Sequence, residues 1–265
     1  LSSISTGIRR AARDPNISGI VLTIRNPKIG LAQIQEIEST METFRAAEKW
    51  SIAYLESAGV QSRGDAIYAL ALCADEIILS PPGALNLIGL RVDVPFVNGL
   101  FEKLEIDVFF EKRKEFKNGP NSFTHKKFTR SHRKALKEVL DDLQDILYVH
   151  ITKRRRVNLE TAKKWVANGP YSSQSAKAQG MIDTLGYYDT VVDKIKQRTG
   201  KDDAQISLDL YLNSFTSEDS ETVVAVITAE GEIHQGTSDN DPLSTKSSIG
   251  STTYQRAFRD ARKDK

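Results

Sequence analysis

The sequence is poor in the residues that build covalent cross-links and metal clusters. Its 265 residues include one cysteine, Cys73, so a disulfide framework and a multi-cysteine metal site are excluded. The four histidines show neither an HExxH motif nor another paired spacing typical of zinc enzymes. We therefore expect no metal and no cofactor, and we interpret Cys73, which lies among alanine and leucine residues, as a small buried hydrophobic side chain.

Long apolar runs are also lacking. The runs at Tyr68–Cys73 and Val223–Ile227 have the length of a strand or a short helix, whereas crossing a bilayer takes about 20 residues. The sequence begins at Leu1 without a methionine, and no basic segment followed by an apolar one is present. We expect neither a signal peptide nor a membrane anchor in this sequence, which does not exclude them from the parent gene.

Charge of one sign is not in excess overall. The 37 basic and 35 acidic residues give a net charge of +2, which implies no polyanionic partner. The cluster Arg154–Arg156 is interpreted as a solvated helix face. The stretch Glu111–Lys137 has ten basic residues against two glutamates, with phenylalanines between them, a composition that could follow a nucleic-acid backbone. Since no RNP, KH or zinc-knuckle pattern accompanies it, we expect no nucleic-acid partner.

An alternation of two periodicities runs through the first third of the sequence. Apolar runs of strand length lie at Ile17–Ile24, Ser51–Glu56 and Glu76–Leu79. Between them, Leu31–Lys49 and Asp65–Cys73 have helical spacing. Strands that alternate with helices in this way predict βαβ units, and therefore an α/β fold with a mostly parallel sheet flanked by helices.

Further elements are predicted on both sides of this region. Helices are expected at Thr6–Arg13, Pro95–Leu104, Leu159–Val166 and Ser173–Ala178 and from Thr129 onward, and strands at Asp107–Phe110 and Val223–Thr228. The polar, serine-rich segment Asn213–Ser220 is a candidate linker.

One short motif occurs twice. Arg10–Asp14 (RAARD) recurs as Arg256–Asp260 (RAFRD), 246 residues later. This recurrence suggests a tandem duplication, and the alternative is a coincidence between two amphipathic helices rich in arginine and alanine. On the first interpretation, residues 1–212 form one repeat without its opening strand. Residues 213–221 are then a linker, and residues 222–265 are the beginning of a second repeat.

One lysine stands at a position where catalysis is plausible. Phe116–Pro120 (FKNGP) places Lys117 at the end of a predicted strand, where the chain enters a glycine- and proline-containing loop. A lysine amine serves as a base only when burial and neighbouring cations lower its pKa. Arg113, Lys114 and the surrounding phenylalanines could supply both influences. From the residues alone, Lys117 is either such a base or an ordinary surface cation.

Several blocks carry a family resemblance. The sequence resembles the signal peptide peptidase A (protease IV) family, in particular the amino-terminal half of its long, duplicated form, and the resemblance covers nearly the whole chain. The matching blocks are Ile17–Asn26, Ile52–Ser57, Tyr68–Pro81, Leu87–Leu90, Phe101–Leu104, Phe116–Lys117 and Gly180–Asp183. The resemblance implies a ClpP/crotonase-like repeat.

The resemblance also implies an activity and a site. It implies a serine endopeptidase with a Ser/Lys dyad that degrades signal peptides or membrane-derived peptides, with Lys117 as the general base. The family's nucleophile position falls at Asp65, although a shift of register would bring Ser62 there. The family's oxyanion loop is replaced by Asn26–Gly30. The nucleophilic serine is then expected beyond Lys265, and this chain alone is expected to be inactive.

The expected partners also follow from the resemblance. They are a peptide substrate, further copies of the chain in a ring, and a membrane reached through a segment that this sequence does not contain. The expected location is the non-cytoplasmic face of a membrane, or a plastid membrane in a photosynthetic eukaryote. Two alternatives stay open: a non-catalytic scaffold or pseudo-enzyme of the same fold, and a crotonase-type acyl-CoA enzyme.

Overall fold

The computed structural model describes residues 1–59, 64–202, 204–215, 224–238 and 248–263, and the candidate nucleophile Ser62 lies outside them. The chain divides into two compact units, Leu1–Ser214 and Phe215–Lys265. The helices of the first unit are α1 (Ser2–Arg13), α2 (Leu31–Ala46), α3 (Gly64–Ala71), α4 (Asn98–Lys103), α5 (Asn121–Thr124), α6 (Arg130–Arg155), α7 (Leu159–Ala167), α8 (Ser173–Ala178), α9 (Tyr188–Thr199) and α10 (Leu208–Asn213). Its strands are β1 (Gly19–Ile24), β2 (Trp50–Leu55), β3 (Glu76–Leu79), β4 (Ala84–Leu85), β5 (Tyr171–Ser172) and β6 (Thr184–Leu185).

A parallel sheet forms the centre of the first unit. Its strand order is β1-β2-β3-β6, and all three neighbouring pairs are parallel. The predicted βαβ arrangement is confirmed by this topology. Residues 51–55 of β2 are all buried, because helices cover both faces of a parallel sheet and its inner strands therefore read as continuous apolar runs.

The alternation of side chains along β2 divides the core into two layers. Ala53 and Leu55 join the larger cluster, which includes residues from α1, α2, α3 and α6. Ile52 and Tyr54 point to the other face, where they join Val191 of α9 in a smaller cluster. This division follows from the two-residue period of a strand. The sheet is therefore sandwiched between helices, with the more extensive core on the side of α3 and α6.

A short antiparallel pair extends this architecture. Strand β4 pairs with β5 through Ala84–Ser172 and Leu85–Tyr171. Ser172 also caps α8, since its hydroxyl accepts a hydrogen bond from the Ser175 amide at 3.2 Å. The segments that follow the carboxyl-terminal ends of β2 and β3 are joined by backbone hydrogen bonds. In one of them, the Ala58 amide donates to the Ala84 carbonyl at 2.8 Å.

The second unit contains strands β7 (Glu232–His234) and β8 (Ser248–Gly250), which pair in parallel, and helix α11 (Ser251–Lys263). Helix α11 carries the second copy of the repeated motif, as α1 carries the first. Across the part of the chain that the structure describes, no helix is both long enough and apolar enough to cross a membrane.

Two predicted strands are wrong. Residues 107–110 have no regular structure, and the Phe109 side chain is 84% exposed. Residues 224–228, the described part of the second predicted strand, are also irregular, and Val224 and Val226 are exposed. Both runs are apolar and β-branched or aromatic, but no described strand lies beside them. Strand propensity without a pairing partner does not make a strand.

The cluster of basic residues at the end of α6 is only partly the solvated face that its sequence predicts, since Arg156 is exposed but its two neighbours are not. The side chains of Arg154 and Arg155 are 13% and 10% exposed, respectively. Arg154 donates hydrogen bonds to the carbonyls of Leu72 and Ala74, each at 2.7 Å. Arg155 binds the carboxylate of Asp183 at 2.9 and 3.0 Å. Both guanidinium groups are therefore structural links between α6 and the sheet.

The buried hydroxyl of Tyr68 provides a test of this core. The side chain is fully buried on α3, and its hydroxyl donates to the Met181 carbonyl at 2.8 Å. We expect Tyr68→Phe to lower the free energy of unfolding by about 1–3 kcal/mol, because the Met181 carbonyl would stay buried without its donor. Urea denaturation measures this difference. Tyr187→Phe, at a side chain that is 56% exposed, is the matched control. Equal stability of the two variants would contradict the expected role of the hydrogen bond.

Candidate active site

Lys117 lies in an irregular segment between α4 and α5. Residues 111–117 are all exposed, and Lys117 is followed by the turn Gly119–Pro120 that leads into α5. Lys114, three residues earlier, adopts a left-handed backbone conformation with φ of 60°. The described part of this chain therefore presents Lys117 at the surface and does not bury it.

A buried asparagine holds this segment in place. Asn121 is fully buried at the start of α5, although its side chain is polar. Its amide oxygen accepts a hydrogen bond from the Lys112 ammonium group at 2.8 Å. Its amide nitrogen donates to the side-chain oxygens of Asn118 at 3.3 Å and Thr129 at 3.5 Å. One side chain thus joins residues on both sides of Lys117 to the beginning of α6.

The start of α6 supplies a second attachment. The Ser131 hydroxyl donates to the Glu115 carbonyl at 2.9 Å. Thr129 caps the helix, since its hydroxyl accepts a hydrogen bond from the His132 amide at 3.2 Å. The segment that carries Lys117 is therefore bonded on each side of the lysine, at Glu115 and at Asn118.

The phenylalanines of this region pack against one another. The ring of Phe123 lies 6.3 Å from that of Phe101 and 5.7 Å from that of Phe110, measured between centroids. Phe128 packs edge-on against Phe96 at 5.1 Å. These rings form two small groups of aromatic contacts, in which Phe110 and Phe123 remain more than 40% exposed. Phe116, next to Lys117, is 51% exposed.

Asp65 occupies the first turn of α3, at the position where the family resemblance expects a nucleophile. Its side chain is buried, and one carboxylate oxygen accepts a hydrogen bond from the Gly89 amide at 3.0 Å. Burial raises the pKa of the Asp65 carboxyl, and the amides of Gly89 and Ile88 only partly offset this effect. An added side chain at Gly64 would collide with the Asn86 carbonyl, so the helix starts close against the neighbouring backbone.

The segment Asn26–Gly30 connects β1 to α2. The Gly30 amide donates to the side-chain oxygen of Gln33 at 2.9 Å, and this bond closes the first turn of α2. That amide is therefore already used within the chain. The sequence predicts roles for Lys117, Asp65 and this loop, but not for Asn121. A lone asparagine between Pro120 and Ser122 is typical of a turn, so the local pattern does not indicate that it is buried.

Comparison with known proteins agrees with the resemblance. The family model described as peptidase family S49 matches residues 44–202, which include β2, α3, the Lys117 segment and α6. The chain belongs to peptidase family S49. It is 25% identical over 201 residues to "Serine protease SPPA, chloroplastic" of Arabidopsis thaliana, a match that covers 76% of this chain and 29% of that protein.

Two further comparisons extend this picture of the S49 chain. It is 23% identical over 274 residues to "Protease 4" of Haemophilus influenzae, which covers 97% of this chain and 43% of that protein. A crystal structure of a peptidase from Plasmodium falciparum aligns with a TM-score of 0.41 and 12% identity, over 70% of this chain and 88% of that chain. The S49 chain thus spans less than half the length of the two named relatives that it matches.

The attachment of the Lys117 segment can be tested at Asn121. We expect Asn121→Ala to increase amide hydrogen exchange across residues 112–118, because the variant removes the bonds to Lys112, Asn118 and Thr129. It should also lower the free energy of unfolding by about 1–3 kcal/mol, since the former partners lose their buried bonds. Asn98→Ala, which removes only the exposed bond to Glu102, is the control. Unchanged exchange in Asn121→Ala would show that other contacts hold the segment.

The buried carboxyl of Asp65 predicts a pH dependence. Its pKa is raised in the folded chain, so the folded state binds the proton more tightly than the unfolded state, and stability falls as pH rises from the unfolded pKa through the folded pKa. Asp65→Asn cannot ionise. The difference in free energy of unfolding should therefore shift in favour of the variant as the pH rises above about 4, the ordinary pKa of an aspartate. Asp107→Asn, at an exposed side chain, is the control. A constant or opposite difference for Asp65→Asn would contradict the prediction.

Proposed function

We propose that this chain is the part of a serine-type peptidase that supplies the general base of a Ser/Lys dyad. Lys117 is that base. The observation that carries the proposal is the S49 match over residues 44–202, which includes Lys117 together with the bonds at Asn121 and Ser131 that fix its segment.

In the proposed reaction, the neutral amine of Lys117 accepts the proton of a serine hydroxyl as its oxygen attacks the scissile carbonyl carbon. A C–O bond forms, and the carbonyl oxygen becomes an oxyanion that backbone amides stabilise. The C–N bond then breaks, and the Lys117 ammonium group returns the proton to the leaving amine. Water releases the acyl group in the second half of the reaction by the same proton transfers.

The serine comes from outside this chain in our proposal. Asp65 takes its position on α3, and its carboxylate is buried against the Gly89 amide. The exposure of Lys117 supports the same conclusion, because a lysine acts as a base only where a neighbour covers it. The match to 43% of "Protease 4" leaves more than half of that relative's length for such a neighbour. This chain alone is then inactive.

We further propose the duplicated, ClpP/crotonase-like arrangement for the parent protein. Residues 1–212 form the first repeat, 213–221 a linker, and 222–265 the beginning of the second repeat. The division of the chain after Ser214 supports this assignment, as does the presence of both copies of the repeated motif on helices, α1 and α11.

The proposed substrates are signal peptides or other membrane-derived peptides, in a protein held at the non-cytoplasmic face of a membrane or at a plastid membrane. The proposal rests on the likeness to a chloroplast protein named SPPA. Copies of the chain associate in a ring, and exposed apolar side chains between α4 and Lys117 support such a contact: Leu104 at 57%, Ile106 at 48% and Phe109 at 84% exposure. Neither a nucleic acid nor a cofactor takes part.

A pseudo-enzyme of the same fold is the second candidate. The observation in its favour is the replacement of the expected serine by Asp65, which removes a nucleophile from the chain's own α3. On that interpretation, Lys117 is a surface cation, and the chain serves as a scaffold.

The two candidates differ in what Lys117→Ala does. In the full-length parent protein, we expect this variant to reduce hydrolysis of a fluorogenic peptide by about 10²–10⁴-fold, the usual contribution of a general base. Lys114→Ala, which removes an exposed cation from the same segment, is the matched control and should retain activity.

Peptidase activity that survives Lys117→Ala would reject Lys117 as the base. A full-length protein without peptidase activity would favour the pseudo-enzyme, and turnover of CoA esters would favour the crotonase-type alternative. Hydrolysis by the isolated 265-residue chain would show that the nucleophile lies within it.

A further inference from the structure

Three side chains that commonly bind metals meet between α2, α6 and the turn after α3. They are Glu38 on α2, Cys73 just after α3, and His150 on α6. The ligand atoms of the three residues all lie within 4.8 Å of one another. No pair of them is close in sequence, so the local pattern gives no reason to expect the cluster.

The Cys73 thiol donates to the Ala69 carbonyl at 3.6 Å, whereas polar atoms of Glu38 and His150 lack hydrogen bonds. Both carboxylate oxygens of Glu38 and Nε2 of His150 are buried, and none has a hydrogen-bond partner among the described residues. The side chains of both residues are 13% exposed, and Oε2 of Glu38 lies 3.4 Å from Nε2 of His150. Buried polar atoms are rarely unpartnered, because each costs about 1–3 kcal/mol when it loses its bonds to water. The 3.4 Å contact between Glu38 and His150 is longer than a good hydrogen bond, so a cation between them would give both groups a closer partner.

Charges of both signs surround the cluster, with Arg154 and Arg45 near Cys73 and Glu38. Arg154, the nearby positive group on α6, is already bound to the carbonyls of Leu72 and Ala74. A divalent cation bound here would displace the proton of the Cys73 thiol, since a coordinating thiol is deprotonated. Thiolate and carboxylate would together balance its two positive charges.

We propose that Glu38, Cys73 and His150 form a Zn²⁺ site. Sulfur, imidazole nitrogen and carboxylate oxygen together are a ligand set that zinc accepts in tetrahedral geometry. Tetrahedral bonds of 2.0–2.3 Å place the ligand atoms about 3.5 Å apart, so side-chain adjustments of about 1 Å would close the cluster around the ion.

The fourth position of the metal is open in this proposal. Glu38 and His150 also line a cavity of 530 Å³, together with Gln35, Asp142 and Asp145. Water, or a ligand that enters this cavity, can therefore complete the coordination. The metal would connect α2, the turn after α3, and α6, next to the point where Arg154 already attaches α6 to that turn. This inference is independent of the proposed peptidase function.

The single cysteine makes the site directly observable. In the metal-free 265-residue chain, titration with Co²⁺ should produce a thiolate-to-metal charge-transfer band that saturates at one equivalent. Since Cys73 is the only cysteine of the sequence, such a band reports this residue alone. Added Zn²⁺ should abolish the band by displacement.

Variants test the other two ligands. Zn²⁺ affinity, measured by competition with a chromophoric chelator, should fall at least about 100-fold in Glu38→Gln and His150→Gln, more than loss of an outer-shell partner usually costs. Cys73→Ser should lose the Co²⁺ band. His234→Gln, at a histidine of the second unit, is the control for adventitious binding and should leave the affinity unchanged.

A wild-type chain that gives no charge-transfer band would overturn the proposal, and this result does not depend on whether any variant folds. So would a Zn²⁺ affinity that is the same in wild type, Glu38→Gln and His150→Gln, or one that is lost in His234→Gln.

Discussion

Two guanidinium groups at the end of α6 determine how the first unit is assembled. Arg154 satisfies the carbonyls of Leu72 and Ala74 in the turn that leads from α3 to β3. Arg155 reaches the Gly180 carbonyl and the Asp183 carboxylate, and Asp183 in turn accepts a hydrogen bond from the amide of Ile77 at the start of β3. A helix of 26 residues is thereby fixed at one end to the middle of the parallel sheet. Hydrogen bonds from a guanidinium group are directional as well as strong. They therefore determine how α6 is oriented on the sheet, in addition to holding it there.

The opposite end of the same helix carries the candidate site. Thr129 and Ser131 lie at the start of α6 and bind Asn121 and Glu115, on either side of Lys117. The position of Lys117 thus depends on a helix whose other end is fixed by Arg154 and Arg155. Lys117 itself is exposed, whereas the buried Asn121 helps to attach its segment to α6. In the proposed half-site, the supporting groups are built in, while the surface around the amine stays available to a neighbour that would exclude water.

The sequence predicts those parts of the fold in which a hydrophobic pattern is sufficient. The bounds of β3 and α8 agree with the structure, and β1, β2 and α2 differ from their predicted ranges by a few residues. The pattern fails where a second segment decides the outcome. Residues 107–110 have the composition of a strand but no partner to pair with. Hydropathy predicts that Arg154 and Arg155 face solvent, because arginine is usually exposed. The sequence near Arg154 gives no sign of its acceptor, since the Ala74 carbonyl lies 80 residues earlier in the chain.

The same distinction explains what could be known about the sites. Lys117 was found through a family motif, since a contiguous block of sequence records it. Asn121 and the cluster of Glu38, Cys73 and His150 were not found, because their roles arise from contacts between elements that are distant in sequence. Cys73 illustrates the point: its apolar neighbours correctly predict burial, yet they contain no information on the carboxylate and imidazole that α2 and α6 bring to it. Burial removes Cys73 from solvent chemistry, and its place beside a carboxylate and an imidazole is what makes it a candidate metal ligand.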